Sequence, residues 1–259
     1  TQSFLGGDQR RTQLTQSVLE YAQESQESNP TVVIWLLDQT PSAKKLREKV
    51  VSEIRLFQPE SNKDGFESLV VGFSGDGLNI ATKSPTSDPK KIGESLEGLE
   101  ESEVEKESTF RNLKECVENF QYLRQRDRKS VMLVMVTDES GDDAQEQQEG
   151  TSLADLAAQQ LKKTSIPLFV IGYAAPFGRI SDLVEGKTPK TTYGPETAFP
   201  ERVSLAMWNG STDIFRYDSG FGPWNLEKAC RESGGRFLAD RPAQRSIRLV
   251  SKKIGRAHV

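Results

Sequence analysis

The chain has 259 residues, of which 35% are hydrophobic and 28% are charged, and its formal net charge is −4. This length can bury a substantial core and favours one large domain, or one domain with extensions. No run of about 18 apolar residues occurs, so the sequence predicts no membrane span within the chain. The mild charge argues against a nucleic-acid partner, and the basic residues of segment 241–259 amount to a patch at most.

Several classes of site are excluded by the residue types present. The only histidine, His258, is the penultimate residue, so a Ser-His-Asp or Cys-His arrangement lacks a plausible base. Glycine-rich phosphate loops of the GxGxxG or GxxxxGK[ST] type are absent. Cys116 and Cys230 lack CxxC spacing and lie in amphipathic helical patterns, which predicts buried thiols. Because the sequence begins at Thr1 without a signal-peptide pattern, we expect a fragment or a processed product.

Residues 1–30 are polar and rich in glutamine, and we predict that they form an extension of the main domain. A weak apolar stripe at Leu14, Val18 and Tyr21 has the spacing of a short helix.

The next stretch predicts a buried strand with a polar end. Six consecutive apolar residues, 32–37, lead into Asp38-Gln-Thr40-Pro-Ser42. In open α/β sheets, ligands lie at the carboxyl ends of the strands. One carboxylate and two hydroxyls at alternate positions suit a hard divalent cation such as magnesium. An Asp/Ser turn that caps the next helix is the alternative, and this stretch alone leaves both open.

Helical spacing of apolar residues predicts a helix over 43–57. Two strands, Leu69–Phe73 and Leu78–Thr82, flank the turn signal Ser74-Gly-Asp-Gly77 and should pair as an antiparallel hairpin. A helix near 88–99 follows.

An acidic run then carries glutamates at 94, 97, 100, 101, 103, 105 and 107. We predict that this run is a solvated face rather than a second cation site.

Ser108 and Thr109 follow the acidic run, and either is placed to cap the helix that Phe110, Leu113, Val117 and Phe120 predict. A second apolar strand, Val131–Val136, ends in Thr137-Asp138. A helix over 153–161 and a third apolar strand, Leu168–Tyr173, come next. This alternation predicts an α/β fold with a Rossmann-like, doubly wound and mostly parallel sheet, one antiparallel edge strand and helices on both faces.

Segment 174–222 lacks periodicity and is rich in glycine, proline and aromatic residues, so we expect a structured insertion on the same rim as Asp38 and Asp138. Its aromatic residues are expected either to contact a partner or to form the insertion's own core. Pro223 and Gly234-Gly235 bracket a helix, and residues 236–239 predict a closing strand. Segment 241–259 is predicted to be a basic tail or a final helix.

The motifs of residues 31–240 resemble the von Willebrand factor type A (VWA) family, whose metal-ion-dependent adhesion site uses a D-x-S-x-S motif, a threonine and a later aspartate. Asp38-Gln-Thr40-Pro-Ser42 matches the motif with threonine for the first serine, and Asp138 matches the aspartate. Thr109 resembles the threonine, although the usual preceding glycine is absent and Ser108 competes with it. The resemblance implies Mg²⁺, or Mn²⁺ or Ca²⁺, bound by Asp38, Thr40, Ser42, Thr109 and Asp138.

Three further stretches, 137–143, 175–178 and 219–223, are similar to a bacterial branch of this family. That branch lies C-terminal to a membrane or helical segment. The resemblance therefore implies the extracytoplasmic part of a membrane-tethered protein.

We expect a non-enzymatic module that recognises a carboxylate of a partner protein through the bound ion. The predicted ligands bring two negative charges, from Asp38 and Asp138, so the ion keeps affinity for an external Asp or Glu side chain. A phosphoryl-transfer enzyme with Asp38 as nucleophile is an alternative, although Thr40 stands where such enzymes usually carry a second acid. A scaffold working beside an ATPase is another. The sequence does not predict an oligomeric state.

Overall fold

The computed structural model describes residues 15, 17, 18, 20–22, 30–61, 67–104, 106–138, 143–175, 192–193, 200–201 and 220–240. Ten strands are found among these residues: β1 (Thr31–Asp38), β2 (Glu67–Ser74), β3 (Gly77–Ile80), β4 (Ser130–Val136), β5 (Gln147–Gln148), β6 (Thr151–Ser152), β7 (Leu168–Tyr173), β8 (Thr192–Tyr193), β9 (Pro200–Glu201) and β10 (Arg236–Asp240). The helices are α1 (Lys44–Ser61), α2 (Pro89–Glu97), α3 (Thr109–Phe120), α4 (Tyr122–Gln125), α5 (Leu153–Thr164) and α6 (Trp224–Ser233).

Six strands form one sheet in the order β10-β7-β4-β1-β2-β3. All neighbours pair in parallel except β2 and β3, which are antiparallel. The β2–β3 connection is the two-residue turn Gly75-Asp76, and Ser74 pairs with Gly77. The predicted doubly wound sheet with one antiparallel edge strand is confirmed. It follows from strands joined by helical crossovers, since only the tight turn allows an antiparallel return.

Strand β1 lies at the centre of the sheet, and every one of its residues is buried. Its side chains alternate between two cores. Ile34 and Leu36 face the core that α3, α5 and α6 cover, whereas Trp35 and Leu37 face the core that α1 and α2 cover. This two-sided burial explains why the stretch is continuously apolar rather than alternating.

The described residues between 15 and 22 are helical, and Val18 and Ala22 are fully buried against the core under α1 and α2. The ring centroid of Tyr21 lies 5.0 Å from that of Phe169. This helix therefore packs on the sheet domain. Cys116 and Cys230 are both buried free thiols, as predicted, and burial raises the pKa of each.

Most of segment 174–222 and all of 241–259 lie outside the described residues. The predicted final helix and the insertion's aromatics Phe177, Phe199, Trp208, Phe215 and Tyr217 therefore lie outside them too, whereas Tyr193 belongs to β8. Within the insertion, β8 and β9 pair in antiparallel fashion. No helix among the described residues is long and apolar enough to cross a membrane.

The close approach of β10 to β7 gives a stability prediction. A Cβ on Gly235 would lie 1.9 Å from the backbone oxygen of Leu168. We expect Gly235→Ala to lower the free energy of unfolding by about 2–3 kcal/mol, because backbone must move to relieve the overlap. Gly93, inside α2, has nothing within 4 Å of its virtual Cβ. Gly93→Ala should therefore stabilise the protein by about 0.5–1 kcal/mol. Urea unfolding of both variants measures the difference, and a Gly235→Ala protein as stable as the parent would contradict the close approach.

Candidate metal centre

Three carboxylates meet at the carboxyl edge of the sheet. Strands β1 and β4 are parallel neighbours, with Leu37 paired to Val136, so Asp38 and Asp138 leave the sheet side by side. Glu107 joins them, and carboxylate oxygens of Asp38, Glu107 and Asp138 all lie within 4.8 Å of one another. This is well inside the separation of about 10 Å beyond which two side chains could not share an ion.

Two hydroxyls of the loop after β1 connect the aspartates. Thr40 donates its backbone N–H and its hydroxyl to Asp38 Oδ1, at 2.8 and 2.7 Å. The hydroxyl oxygen Oγ1 of Thr40 lies 3.1 Å from Ser42 Oγ, and Ser42 Oγ donates to Asp138 Oδ1 at 3.2 Å. The D-x-T-x-S spacing thus turns both hydroxyls toward the carboxylates. The loop also leads directly into α1.

Glu107 corrects the prediction of a wholly solvated acidic run. The glutamates at 94, 97, 100, 101 and 103 are exposed, but only 3% of the Glu107 surface is accessible. In the sequence, Glu107 is the last glutamate of the acidic run and does not differ from the others in its surroundings. The available signal in the sequence was only that Glu107 stands two residues before Thr109.

Thr137 is a second site residue that the sequence analysis did not single out as a ligand. Its hydroxyl lies 2.9 Å from Asp38 Oδ2 and 3.2 Å from Glu107 Oε2. A hydroxyl has one proton, so Thr137 donates to one of these carboxylates at a time. Thr137 stands between the last residue of β4 and Asp138, so the end of this strand brings its hydroxyl to the cluster.

Thr109 and Ser108 differ in where the backbone puts them. Thr109 is fully buried, and its hydroxyl lies 3.5 Å from Glu107 Oε2, at the limit of a hydrogen bond. Ser108 takes the left-handed backbone conformation, with φ of 52°. The Thr109 hydroxyl thus lies beside one carboxylate of the cluster. Ser108 occupies the N-cap position of α3, as predicted, but its side chain makes no capping hydrogen bond.

Asp143 caps α3 instead. Its carboxylate is fully buried and accepts hydrogen bonds from the backbone N–H groups of Phe110 and Arg111, both at 2.9 Å. A carboxylate at a helix N-terminus also interacts favourably with the helix dipole. Asp143 lies five residues after Asp138, so its bonds hold the chain after β4 against the start of α3. They thereby bring the Asp138 and Thr109 segments together.

Arg47 stabilises the loop that follows β1. This buried side chain projects from α1 and donates Nη1 to the backbone oxygens of Asp38 and Thr40, the latter at 3.3 Å. Burial lowers the pKa of Arg47, and the charge of Asp38 opposes that effect. The guanidinium therefore orders the backbone of the loop.

Gln39 forms hydrogen bonds that hold the acidic run at the carboxyl edge of the sheet. Its side-chain Nε2 donates to the backbone oxygen of Glu100 at 2.6 Å, and its backbone oxygen accepts from the backbone N–H of Ser102 at 2.8 Å. A Cβ on Gly72 would lie 2.3 Å from Gln39 Oε1, so a larger residue there would displace the Gln39 side chain. These bonds carry the segment that ends in Glu107 across the end of β1.

The electrostatics of the cluster favour a cation. Burial first, and the neighbouring charge of Asp38 second, raise the pKa of Asp138. Crowded carboxylates repel one another unless a positive charge is placed among them. All donors are hard oxygen atoms, namely carboxylates from Asp38, Glu107 and Asp138 and hydroxyls from Thr40, Ser42, Thr109 and Thr137. Such a set of hard oxygen atoms could hold a divalent cation.

No protein-family model matches the sequence, and no curated protein is significantly similar to it. Solved structures similar to this chain include the following three. An aerotolerance-related membrane protein from Bacteroides fragilis NCTC 9343 is 13% identical, with a TM-score of 0.45 over 86% of this chain and 96% of that chain. The SpRpn10 VWA domain is 10% identical, with a TM-score of 0.49 over 87% of this chain and 94% of that chain. Proximal thread matrix protein 1 from the mussel byssus is 18% identical, with a TM-score of 0.43 over 56% of this chain and 38% of that chain.

The topology itself carries the assignment of the fold. A sheet in the order β10-β7-β4-β1-β2-β3 has its central strands, β1 and β4, at the point where the connections change direction. The antiparallel strand lies at one edge, and the aspartates after β1 and β4 lie at the carboxyl end. These are the features that the motifs of the sequence implied, and the chain has the fold of a von Willebrand factor type A domain.

Proposed function

We propose that this chain is a binding module that uses a divalent ion at the sheet's carboxyl edge to recognise a carboxylate of a partner protein. Asp38, Thr40, Ser42, Thr109 and Asp138 are the proposed ligands, either directly or through water. The observation that carries the proposal is the convergence of carboxylates, within 4.8 Å, at the end of two adjacent central strands. A purely structural role would favour paired or apolar groups in such a buried position.

The exposure of the ligands supports an outward-facing ion. Asp38, Thr40 and Thr109 are buried, whereas Ser42 is exposed and Asp138 is partly exposed. An ion held by these groups has protein on its inner side and solvent on the side of Ser42 and Asp138. A partner's Asp or Glu side chain can replace water there, which makes association dependent on the metal.

Phosphoryl transfer with Asp38 as nucleophile is the competing function. Here Asp38 Oδ1 accepts two hydrogen bonds from Thr40, and Oδ2 accepts one from Thr137. These bonds lower the nucleophilicity of the carboxylate and favour a role as a fixed ligand. No specific observation favours the enzyme, so we retain the binding module.

Manganese is the probe for testing the proposal, because its paramagnetism reports on bound water. We expect one Mn²⁺ ion per chain, with water-proton relaxation enhanced by water in the open position. Addition of acetate should reduce the enhancement as the carboxylate replaces water. Acetamide, which has the same shape without the charge, should have little effect.

Failure to bind Mn²⁺ would contradict the proposal, as would equal effects of acetate and acetamide. Magnesium-dependent hydrolysis of p-nitrophenyl phosphate that is lost in Asp38→Asn would instead support the enzyme. The same assays, repeated with Mg²⁺ and Zn²⁺ as competitors of Mn²⁺, test the expected order of Mg²⁺ over Zn²⁺.

A further inference from the structure

We infer that Asn112 is a positioning residue of the proposed metal centre. Its side-chain amide holds Ser108 in a left-handed backbone conformation and thereby fixes the Thr109 hydroxyl beside the carboxylates. The inference rests on the proposed function for the presence of an ion. It assigns a role to a residue outside the proposed ligands, one that acts on the site through the backbone of a neighbouring segment.

The Asn112 amide connects three segments at the carboxyl edge of the sheet. Asn112 lies in the first turn of α3 and is only 1% exposed. Its Nδ2 donates to the backbone oxygens of Ser74, Glu107 and Ser108, at 2.8, 2.9 and 3.0 Å. An amide nitrogen has two protons, so the three acceptors share them. These bonds hold the two residues before α3 against both the helix and the last residue of β2.

Ser108 depends on such contacts because of its backbone conformation. Its φ of 52° and ψ of 50° lie in the left-handed region, which is unfavourable for a residue with a Cβ. An N-cap residue usually has an extended backbone instead. Four of the described residues other than glycine have a positive φ, and Ser108 is the only buried one among them. Such a conformation persists only where the surroundings impose it.

The Ser108 carbonyl is the group through which Asn112 imposes that conformation. It accepts hydrogen bonds from both the Nδ2 and the backbone N–H of Asn112, each at 3.0 Å. Because a peptide group is planar, fixing this oxygen also fixes the N–H and the Cα of Thr109. Thr109 is fully buried, and its hydroxyl lies 3.5 Å from Glu107 Oε2. Loss of the amide should therefore let the Ser108 backbone relax and move the Thr109 hydroxyl away from the site.

The oxygen of the same amide shows that this side chain is not optimal for stability. Asn112 Oδ1 is buried, and no hydrogen-bond partner for it is found among the described residues. A buried acceptor without a partner lowers the stability of the folded state. A leucine of similar size would avoid that cost but could not hold the Ser108 oxygen. The amide at this position thus serves the placement of the backbone.

The Mn²⁺ affinity of the whole chain, measured by electron paramagnetic resonance, tests the inference. Asn112→Leu keeps a similar size and removes the donors, and we expect it to lower the affinity by about 10–100-fold, the range for residues that orient metal ligands. Val117→Ala is the matched control, because it removes buried volume further along the same helix. It should lower the melting temperature and leave the Mn²⁺ affinity unchanged.

Ser108→Gly separates positioning of the backbone from a general effect of the Asn112 substitution. Glycine takes the left-handed conformation without a steric penalty. In a Ser108→Gly background, the loss of Mn²⁺ affinity caused by Asn112→Leu should therefore be about 5-fold smaller than in the parent background. A merely structural role of Asn112 would give the same loss in both backgrounds.

Asn112→Ser keeps one hydroxyl donor and replaces Asn112→Leu if the leucine variant does not fold, with a smaller loss expected. Parent-like Mn²⁺ affinity in these variants would overturn the inference while leaving the proposed metal site intact. Equal losses with and without Ser108→Gly, or an equal loss in Val117→Ala, would overturn it as well. Failure of the parent chain to bind Mn²⁺ would overturn the proposed function itself.

Discussion

Replacing Asp38 by alanine is expected to lower the affinity for Mn²⁺ by at least about 100-fold, the largest effect of any single substitution at the site. Asp38 is fully buried and is the last residue of the central strand β1, so the backbone holds its carboxylate at the site. Its oxygens are also the acceptors for Thr40 and Thr137. The substitution therefore removes one charged ligand and frees two hydroxyls that it orients. Electron paramagnetic resonance of free Mn²⁺ measures the affinity directly.

Two further variants separate loss of the ligand from loss of the fold. Asp38→Asn keeps the shape of the side chain and one carbonyl acceptor but removes the charge, so it should retain the fold while binding Mn²⁺ weakly. Asp76, in the exposed turn between β2 and β3, serves as the control for removal of an acid near the same edge. Asp76→Ala should bind Mn²⁺ as the parent does. An Asp38→Ala protein that binds Mn²⁺ normally would refute the site.

The second large effect is expected at Asp143. Asp143→Ala should lower the free energy of unfolding by about 3 kcal/mol, because it leaves two backbone N–H groups of α3, one buried and one partly buried, without their charged acceptor. Those groups belong to Phe110 and Arg111, and Phe110 is fully buried. Water cannot readily replace the carboxylate at Phe110. Urea unfolding monitored by circular dichroism measures the loss.

Asp88 provides the matched comparison, since it also caps a helix but does so at an exposed position. Its carboxylate accepts from the backbone N–H of Lys90 at 3.0 Å, at the start of α2. Asp88→Ala should cost about 1 kcal/mol, the usual value for an exposed cap. Asp143→Asn should fall between the parent and Asp143→Ala, because the amide keeps one oxygen acceptor. Equal losses at Asp88 and Asp143 would show that the buried cap contributes nothing beyond an ordinary one.

The Asp143 substitution also tests how the site is held together. The Asp143 carboxylate connects the segment after β4 with the start of α3, and these segments carry Asp138 and Thr109. We expect the folded fraction of Asp143→Ala to bind Mn²⁺ more weakly than the parent, although Asp143 is not a ligand. Normal affinity in the folded fraction would mean that the strands alone position the ligands.

The sequence by itself determined the architecture of this protein. Continuous apolar runs at β1, β4 and β7 predicted strands buried on both faces, and helical spacing between them predicted the crossovers. The turn Gly75-Asp76 predicted the antiparallel edge. Each of these signals is local, because the period of the apolar residues directly reflects which faces the backbone buries. The proximity of Asp38 to Asp138 then follows from the parallel pairing of β1 with β4.

Only the tertiary structure decided which polar residues outside those strands join the site. Glu107 looks the same in sequence as its exposed neighbours, and it is buried because Asn112 and Gln39 hold its segment across the edge of the sheet. The cap of α3 comes from Asp143, more than thirty residues away, and not from the adjacent hydroxyls. Arg47 supports the first loop through backbone oxygens, which carry no sequence signal. Such contacts depend on distances between segments remote along the chain, and residue spacing along one segment does not encode those distances.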